Sequence, residues 1–194
     1  IIAQDITLKT QSGSVLLENF NATFEAGKNY LIKGPSGVGK STFIKTLAGI
    51  WPFFTGNFSF PNEKKMMYLP QQSYFPLGTL RETLCYPDNH QYSDQDLEQL
   101  LVDVGMSKYS DKLNDVKHWH EILSGGEQQK IAFIRVLLTK PDWVFLDEST
   151  SSMDIESESK VYTLLKQKLP HCSVVSIAHR ESLKVFHDSE IKLG

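Results

Sequence analysis

Apolar and polar positions change rhythm along the chain. Ile6 and Leu8 alternate with Thr7 and Lys9, a period of two that predicts a half-buried strand over Ile2–Lys9. Val15–Phe24 reads as a second strand, followed by a turn at Gly27-Lys28 and a third strand, Asn29–Lys33. These three are expected to pair with one another. Phe43, Ile44, Leu47 and Ala48 then recur at helical spacing, which predicts a helix from about Gly39 to Gly49. Short strands follow at Gly56–Phe60 and Lys65–Leu69.

The middle of the chain is helical. Thr79 and Glu82 have the spacing of a capping box, Leu97, Leu100, Leu101 and Val104 mark a helix over Ser93–Val104, and Ser124–Thr139 is a third. From Asp142 the alternation resumes: strand Trp143–Asp147, helix Ile155–Lys168, strand Ser173–Ala178, a short helix, and a closing strand Glu190–Leu193. Strand and helix alternating on both sides of a helical block predict an α/β fold built on a parallel sheet. The N-terminal β region would be antiparallel. A helical subdomain, at about residues 78–140, would be inserted into one domain spanning 1–194.

The chemistry begins where the third strand ends. Gly34, Pro35, Ser36, Gly37, Val38, Gly39, Lys40, Ser41 and Thr42 complete the phosphate-loop pattern G-x-x-x-x-G-K-[ST] between a strand and a helix. Gly37 and Gly39 let the backbone fold tightly, so that successive N–H groups point at phosphate oxygens. Lys40 supplies a point charge for the β- and γ-phosphates, the Ser41 hydroxyl suits Mg²⁺, and the following helix turns its positive end to the same anion. The core is therefore expected to be that of a P-loop NTPase, binding a nucleoside triphosphate. Gly27-Lys28 lacks upstream glycines and is only a turn.

Trp143-Val144-Phe145-Leu146-Asp147-Glu148 is a buried-strand run ending in two acids. At the carboxyl end of a parallel strand Asp147 is placed to hold Mg²⁺, and Glu148 to accept a proton from attacking water. In Leu123-Ser124-Gly125-Gly126-Glu127, Ser124 and Glu127 form another capping box. Capping alone leaves two glycines unexplained at the first helical positions, where each costs roughly 1 kcal/mol relative to Ala. Close approach to a phosphate would explain them. The chain already has one phosphate loop, so this second anion site is expected to serve a nucleotide held by another copy.

With these motifs in order, the sequence resembles the nucleotide-binding domain of ATP-binding cassette (ABC) transporters over essentially its whole length. Gly34–Thr42 is similar to the Walker A loop, Leu123–Gln128 to the signature motif and Val144–Glu148 to Walker B. The resemblance further implies that Gln71 is the glutamine touching Mg²⁺ and the attacking water, with Gln72 beside it. It also implies that Ser151-Ser152-Met153-Asp154 is the D-loop, and that His179 is the switch histidine contacting the γ-phosphate. Leu47–Pro52, Phe75–Glu82 and Pro141–Asp147 resemble one subgroup: the peroxisomal fatty-acyl transporters and their bacterial vitamin B12, bleomycin and antimicrobial-peptide relatives. There the cassette follows a transmembrane domain on one chain.

The resemblance thus implies an ATPase with ATP and Mg²⁺ as ligands, working on the cytoplasmic face of a membrane. Its partners would be a transmembrane domain and a second copy, in an ATP-dependent head-to-tail dimer. A soluble ABC ATPase and a nucleotide-gated module without turnover are the alternatives. Where many members carry an aromatic residue that stacks on adenine, this chain reads Ile6-Thr7-Leu8-Lys9-Thr10. Adenine is then held by aliphatic contacts, by the partner or by upstream residues, which leaves the choice of ATP over GTP open.

Bulk properties trim the picture. The chain has 194 residues, 40% of them hydrophobic, and can bury a good core. A net charge of −3 and a pI near 6.1 leave no electrostatic footprint for nucleic acid. Apolar stretches such as Ile131–Leu138 are short and interrupted by Arg135, so none spans a membrane. The chain opens without Met, inside a strand, as expected of a piece of something longer. Cys85 and Cys172 are expected to be buried free thiols. His118 and His120 lack further ligands at zinc-like spacing. Trp119 is expected to pack or to lie near the partner's nucleotide, and His90, His171 and His187 to lie on the surface. Part of the patch Tyr74, Phe75 and Leu77 is expected to receive a coupling helix of the membrane domain.

Overall fold

The computed structural model describes residues 1–88 and 90–194. In chain order the strands and helices are β1 (Ile2–Lys9), β2 (Val15–Thr23), β3 (Tyr30–Lys33), α1 (Lys40–Leu47), β4 (Phe54–Ser59), β5 (Met66–Leu69), β6 (Gly78–Thr79), α2 (Leu80–Cys85), α3 (Asp94–Asp103), β7 (Val116–Lys117), α4 (Trp119–Ile122), α5 (Gly125–Thr139), β8 (Trp143–Asp147), α6 (Ile155–Lys168), β9 (Ser173–Ile177) and β10 (Ser189–Lys192). Short 3-10 helices lie at Ser107–Lys112 and Glu181–Phe186. The chain forms two compact units, one of residues 1–70, 141–148 and 171–194, the other of 71–140 and 149–170.

The first unit holds two sheets. A five-stranded parallel sheet has the order β10-β3-β9-β8-β5, and a three-stranded antiparallel sheet the order β2-β1-β4. The expectation that the first three strands pair with one another is corrected here: β3 leaves for the parallel sheet, and β4 takes the free side of β1. The reason lies in the pattern. β3 is buried at Tyr30, Leu31 and Ile32 in succession, the habit of a strand covered on both faces, whereas β1 and β2 mix buried and exposed positions. β8 and β9 are buried throughout, while the edge strand β10 carries Glu190 and Lys192. In β1, Asp5 adopts φ 51° where the pairing with β2 shifts, and this bulge brings Ala3, Ile6 and Leu8 all to the core. α1 contributes Phe43, Ile44 and Leu47 to that core, with Phe43 edge-on to Phe20 at 5.2 Å.

His187 corrects a surface assignment. It is half-buried: Nδ1–H donates to the Leu183 carbonyl at 2.7 Å, and Nε2 lies 2.9 Å from the Ser176 hydroxyl. Since a carbonyl can only accept, the neutral ring has its proton on Nδ1 and accepts from Ser176. Burial lowers its pKa below the ordinary 6.5, against a smaller upward pull from the Leu183 bond. The unfolded chain therefore binds a proton near pH 6.5 that the folded chain takes up only at lower pH, and stability falls as pH drops through that window. Denaturant midpoints should fall between pH 7.5 and 5.5, and fall less in His187→Gln. An equal fall in both would remove His187 from the acid response.

The second unit is mostly helical, as expected of the middle of the chain. Its two-stranded ribbon, β6 with β7, pairs Gly78 with Lys117 and Thr79 with Val116. The Thr79–Glu82 and Ser124–Glu127 capping boxes are both formed, starting α2 and α5. α6 begins on Asp154, which accepts from the Ser157 N–H, and has Glu156 and Glu158 in its first turn and Lys166 and Lys168 in its last, in keeping with the helix dipole. Trp119 is buried, its indole N–H donating to the Asp115 carbonyl and its ring edge-on to Tyr109. It packs. Cys172 is buried and its thiol pushed up to about 12 by desolvation, while Cys85 is only half-buried. Among the described residues no helix is long and apolar enough to cross a membrane.

Arg135 of α5 is buried, and backbone carbonyls and aromatic rings surround its charge. Its guanidinium donates to the carbonyls of Thr83 and Tyr74 and stands over the rings of Phe75 and Tyr86. Burial lowers its pKa to about 10, so it keeps its charge at neutral pH. Phe75 is thereby anchored, whereas Tyr74 and Leu77 remain 63% and 77% exposed.

Candidate active site

In the first unit β3 delivers the chain to residues 34–39, and α1 starts at Lys40. The residue preceding α1, Gly39, has φ 98° and lies where a Cβ would come 3.1 Å from the Leu16 side chain. Conformation and space both call for glycine there. No side chain caps α1, and its first turn contains no acid, so its leading N–H groups are left for an anion. Lys40 is 8% exposed, and its ammonium donates to the carbonyls of Gly34 and Pro35, both at 2.9 Å. Pro35, Ser36 and Gly37 are exposed along the loop, Val38 packs at the edge of the core, and Thr42 is half-buried in α1.

At the carboxyl end of β8, Asp147 is 6% exposed. Its Oδ1 accepts from the Ser41 hydroxyl at 2.7 Å and its Oδ2 from the Tyr68 hydroxyl at 2.9 Å. Tyr68 belongs to β5, the neighbour of β8. Burial first, then the charge of Asp147 and the bond to it, push the Tyr68 phenol far above its usual pKa, so it stays a donor. Among the described residues no Lys, Arg or His pairs with Asp147. A buried carboxylate held only by neutral hydroxyls, one of them next to the phosphate loop, is a donor set that fits a hard divalent cation.

Glu148 follows with φ 52°, a left-handed conformation costing about 1–3 kcal/mol in a non-glycine residue. Its N–H donates to the Ile177 carbonyl. Its Oε1 lies 3.0 Å from Nε2 of His179, just beyond β9. The carboxylate can only accept, so Nε2–H is the donor. The Glu148 side chain is 29% exposed and that of His179 66%, so the pair is reachable from solvent. Ser41 and Asp147 are thus brought together, and so are Glu148 and His179.

Gln71 and Ser124, Gly125 and Gly126 belong to the second unit. The Ser124 hydroxyl shares its hydrogen bonds with Glu127, and Glu127 is ion-paired to Lys108 at 2.7 Å. Gly125 and Gly126 have a neighbour within the chain. A Cβ on Gly125 would come 3.2 Å from the Ser152 side chain, and one on Gly126 2.9 Å from the Ser152 carbonyl. Close approach of residues 151–153 is therefore one reason for two glycines at the head of α5. Gln129, 5% exposed on the same helix, accepts from the Ser152 N–H at 2.9 Å. Its amide N–H groups reach Ser151 Oγ at 3.3 Å and the Gln71 carbonyl at 3.5 Å.

Tyr68 and Gln129 escape the motif-based reading. For Tyr68 a partial signal existed: it stands three residues before Gln71, on the short strand expected over Lys65–Leu69. Gln129 is the seventh residue of the run Leu123–Gln129 and is hidden by its ordinary helical setting.

Comparison with known proteins bears on the family and the fold. The sequence profile of the family described as ABC transporter matches residues 17–151. An uncharacterized ABC transporter ATP-binding protein of Haemophilus influenzae is 44% identical over 193 residues, covering 100% of this chain and 33% of the relative. The human ATP-binding cassette sub-family D member 3 is 34% identical, over 94% of this chain and 29% of its own length. The solved structure of a bacterial Atm1-family ABC exporter with ATP bound superposes with a TM-score of 0.86 at 21% identity, over 100% of this chain and 37% of that one, which bears on the fold alone. The chain spans about a third of the length of the curated relatives it matches. Motif order, parallel core and sequence kinship converge: this chain belongs to the ABC transporter family and is an ATP-binding domain of it.

Proposed function

We propose that the chain is the ATP-hydrolysing motor of a transporter, one ABC-type ATPase domain over residues 1–194 with a helical subdomain at about 78–140. The observation carrying this reading is the paired placement of Ser41 with Asp147 and of Glu148 with His179: the two acids and the histidine stand at the carboxyl ends of the adjacent strands β8 and β9, and Ser41 at the start of α1, after the loop that leaves β3 of the same sheet. Residues 34–42 bind the triphosphate through backbone N–H groups and Lys40. Ser41 and Asp147 would hold Mg²⁺, which when bound offsets the charge on the β- and γ-phosphates. Glu148 accepts a proton from the water as its oxygen attacks the γ-phosphorus in line and the bond to the ADP oxygen breaks. His179 donates to Glu148 and orients its carboxylate, and a contact from His179 to the γ-phosphate follows as the nucleotide fills the site.

The same reading places Ser124, Gly125 and Gly126 against a nucleotide bound by a second copy, so that two chains sandwich two ATP molecules. Closing and opening of that sandwich would drive a transmembrane domain from the cytoplasmic side. The exposed Tyr74, whose carbonyl is held by Arg135 of α5, and the exposed Leu77 form part of the surface that receives it.

Phosphate release tests the proposal. The chain should release phosphate from ATP in the presence of Mg²⁺ and not in EDTA. Lys40→Ala should bind ATP at least about tenfold more weakly with unchanged circular dichroism, since a charge-assisted contact to phosphate is worth about 1.5–3 kcal/mol. Tight binding without phosphate release would favour a nucleotide-gated module. Unchanged affinity in Lys40→Ala would contradict the phosphate-loop assignment.

A further inference from the structure

The Asp147 carboxylate is held from two sides, and only one of its donors belongs to the phosphate-loop motif. Ser41 Oγ donates to Oδ1 at 2.7 Å, and the Tyr68 hydroxyl donates to Oδ2 at 2.9 Å. Tyr68 reaches it because β5 and β8 are parallel neighbours, with Tyr68 opposite Phe145 and Leu69 opposite Leu146. The phenol thus rises beside the end of β8, where Asp147 is its last residue.

The two donors are not equivalent. The χ2 torsion of an Asp side chain is broad and nearly two-fold, so one hydrogen bond leaves the carboxylate plane free to turn. A second donor on the other oxygen removes that freedom. Ser41 would itself become a ligand once a cation binds, with its oxygen committed to the metal and its proton left for Oδ1. Tyr68 stands on the opposite oxygen and keeps the same task in either condition. Each carboxylate oxygen retains a lone pair, so a cation or its bound water can still approach.

From this geometry we infer that Tyr68 is a positioning residue for the metal: it fixes the Asp147 carboxylate and thereby sets the affinity for the divalent cation, not for the nucleotide. The inference rests on the reading that Asp147 helps to hold Mg²⁺. The ring of Tyr68 contributes to the first unit's core from a half-buried position, and its hydroxyl donates its hydrogen bond to Asp147 rather than to residues 34–42.

Tyr68→Phe removes one oxygen and leaves the ring packing in place. Partners that orient a metal ligand typically account for about 10–100-fold in metal affinity. Mn²⁺ binding, read by electron paramagnetic resonance of the free ion in the presence of saturating ATP, should therefore weaken by about 10–100-fold in Tyr68→Phe. ATP affinity in EDTA should stay within about twofold of the unsubstituted chain, a difference of under about 0.5 kcal/mol. Asp147→Asn serves as the reference arm and should weaken Mn²⁺ binding at least as much. If Asp147→Asn weakens Mn²⁺ binding and Tyr68→Phe does not, the inference is overturned while the metal reading stands. Should Asp147→Asn leave Mn²⁺ binding unchanged, the metal reading fails and the inference with it. Equal losses of Mn²⁺ affinity and of metal-free ATP affinity in Tyr68→Phe would overturn it too, by making the phenol a general support of the loop.

Discussion

Replacing Glu148 with Gln should leave ATP bound and lower the rate of phosphate release by at least about 100-fold, the lower end of what a positioned general base contributes. The geometry makes this substitution a clean one. Glu148 is held by its backbone as well as its side chain: its N–H donates to Ile177, its φ is 52°, and Oε1 accepts from His179 Nε2–H at 3.0 Å. Glutamine has the same shape and still offers a carbonyl oxygen to His179. What it lacks is the capacity to take a proton at neutral pH. The strain of a left-handed backbone is the same for both side chains, so the site should keep its form. Phosphate release and ATP affinity, measured on one preparation, separate the two effects. Turnover within a few-fold of the unsubstituted chain would remove Glu148 from the role of base.

Long regular elements could be read from the chain because local pattern and burial agree there. α6 runs over Ile155–Lys168 and β8 over Trp143–Asp147, as periodicity and the bounding residues predict. The alternation of strand and helix likewise announces the parallel sheet, and the glycine-rich run with Lys40 and Ser41 announces a loop before a helix. Pairing partners were less accessible. β3 follows β2 closely in sequence, yet it crosses to another sheet because its apolar run must be covered on both faces. The β6–β7 ribbon joins two residues to two others some forty positions away, and so short a strand has no period to detect. His187 has the residue type of a surface site; the short helix and the strand that enclose it are both legible as elements, but their packing against its ring is a tertiary contact with no local pattern. At the candidate site, each acid could be located at a strand end from the sequence. The contacts from Tyr68 to Asp147 and from His179 to Glu148 depend on which strands lie side by side, and that is a property of the sheet order.

Adding a carboxylate with Gly125→Asp should abolish ATP-dependent dimers of the Glu148→Gln chain while leaving ATP on each monomer's own phosphate loop. The proposal makes each site from two chains, so a monomer is expected without nucleotide and a dimer with ATP once hydrolysis is blocked. Gly125 is the first residue of α5, and the signature segment would meet the γ-phosphate there. A carboxylate in that place opposes an anion of like sign in a poorly solvated gap. Two other effects need separating from this one. An acid in the first turn favours a helix through its dipole, by about 0.3–1 kcal/mol, so loss of the dimer could not be laid to a melted α5. The new Cβ would also press on the Ser152 side chain at 3.2 Å, and Gly125→Ala carries that pressure without the charge. Light scattering with Mg-free ATP should then show dimers for Glu148→Gln, a weakened but present dimer with Gly125→Ala added, and monomers with Gly125→Asp added. If Ala and Asp act alike, the packing of Ser152 against α5 governs assembly. A dimer that persists with Asp would mean that Ser124, Gly125 and Gly126 do not complete a site on the opposite chain.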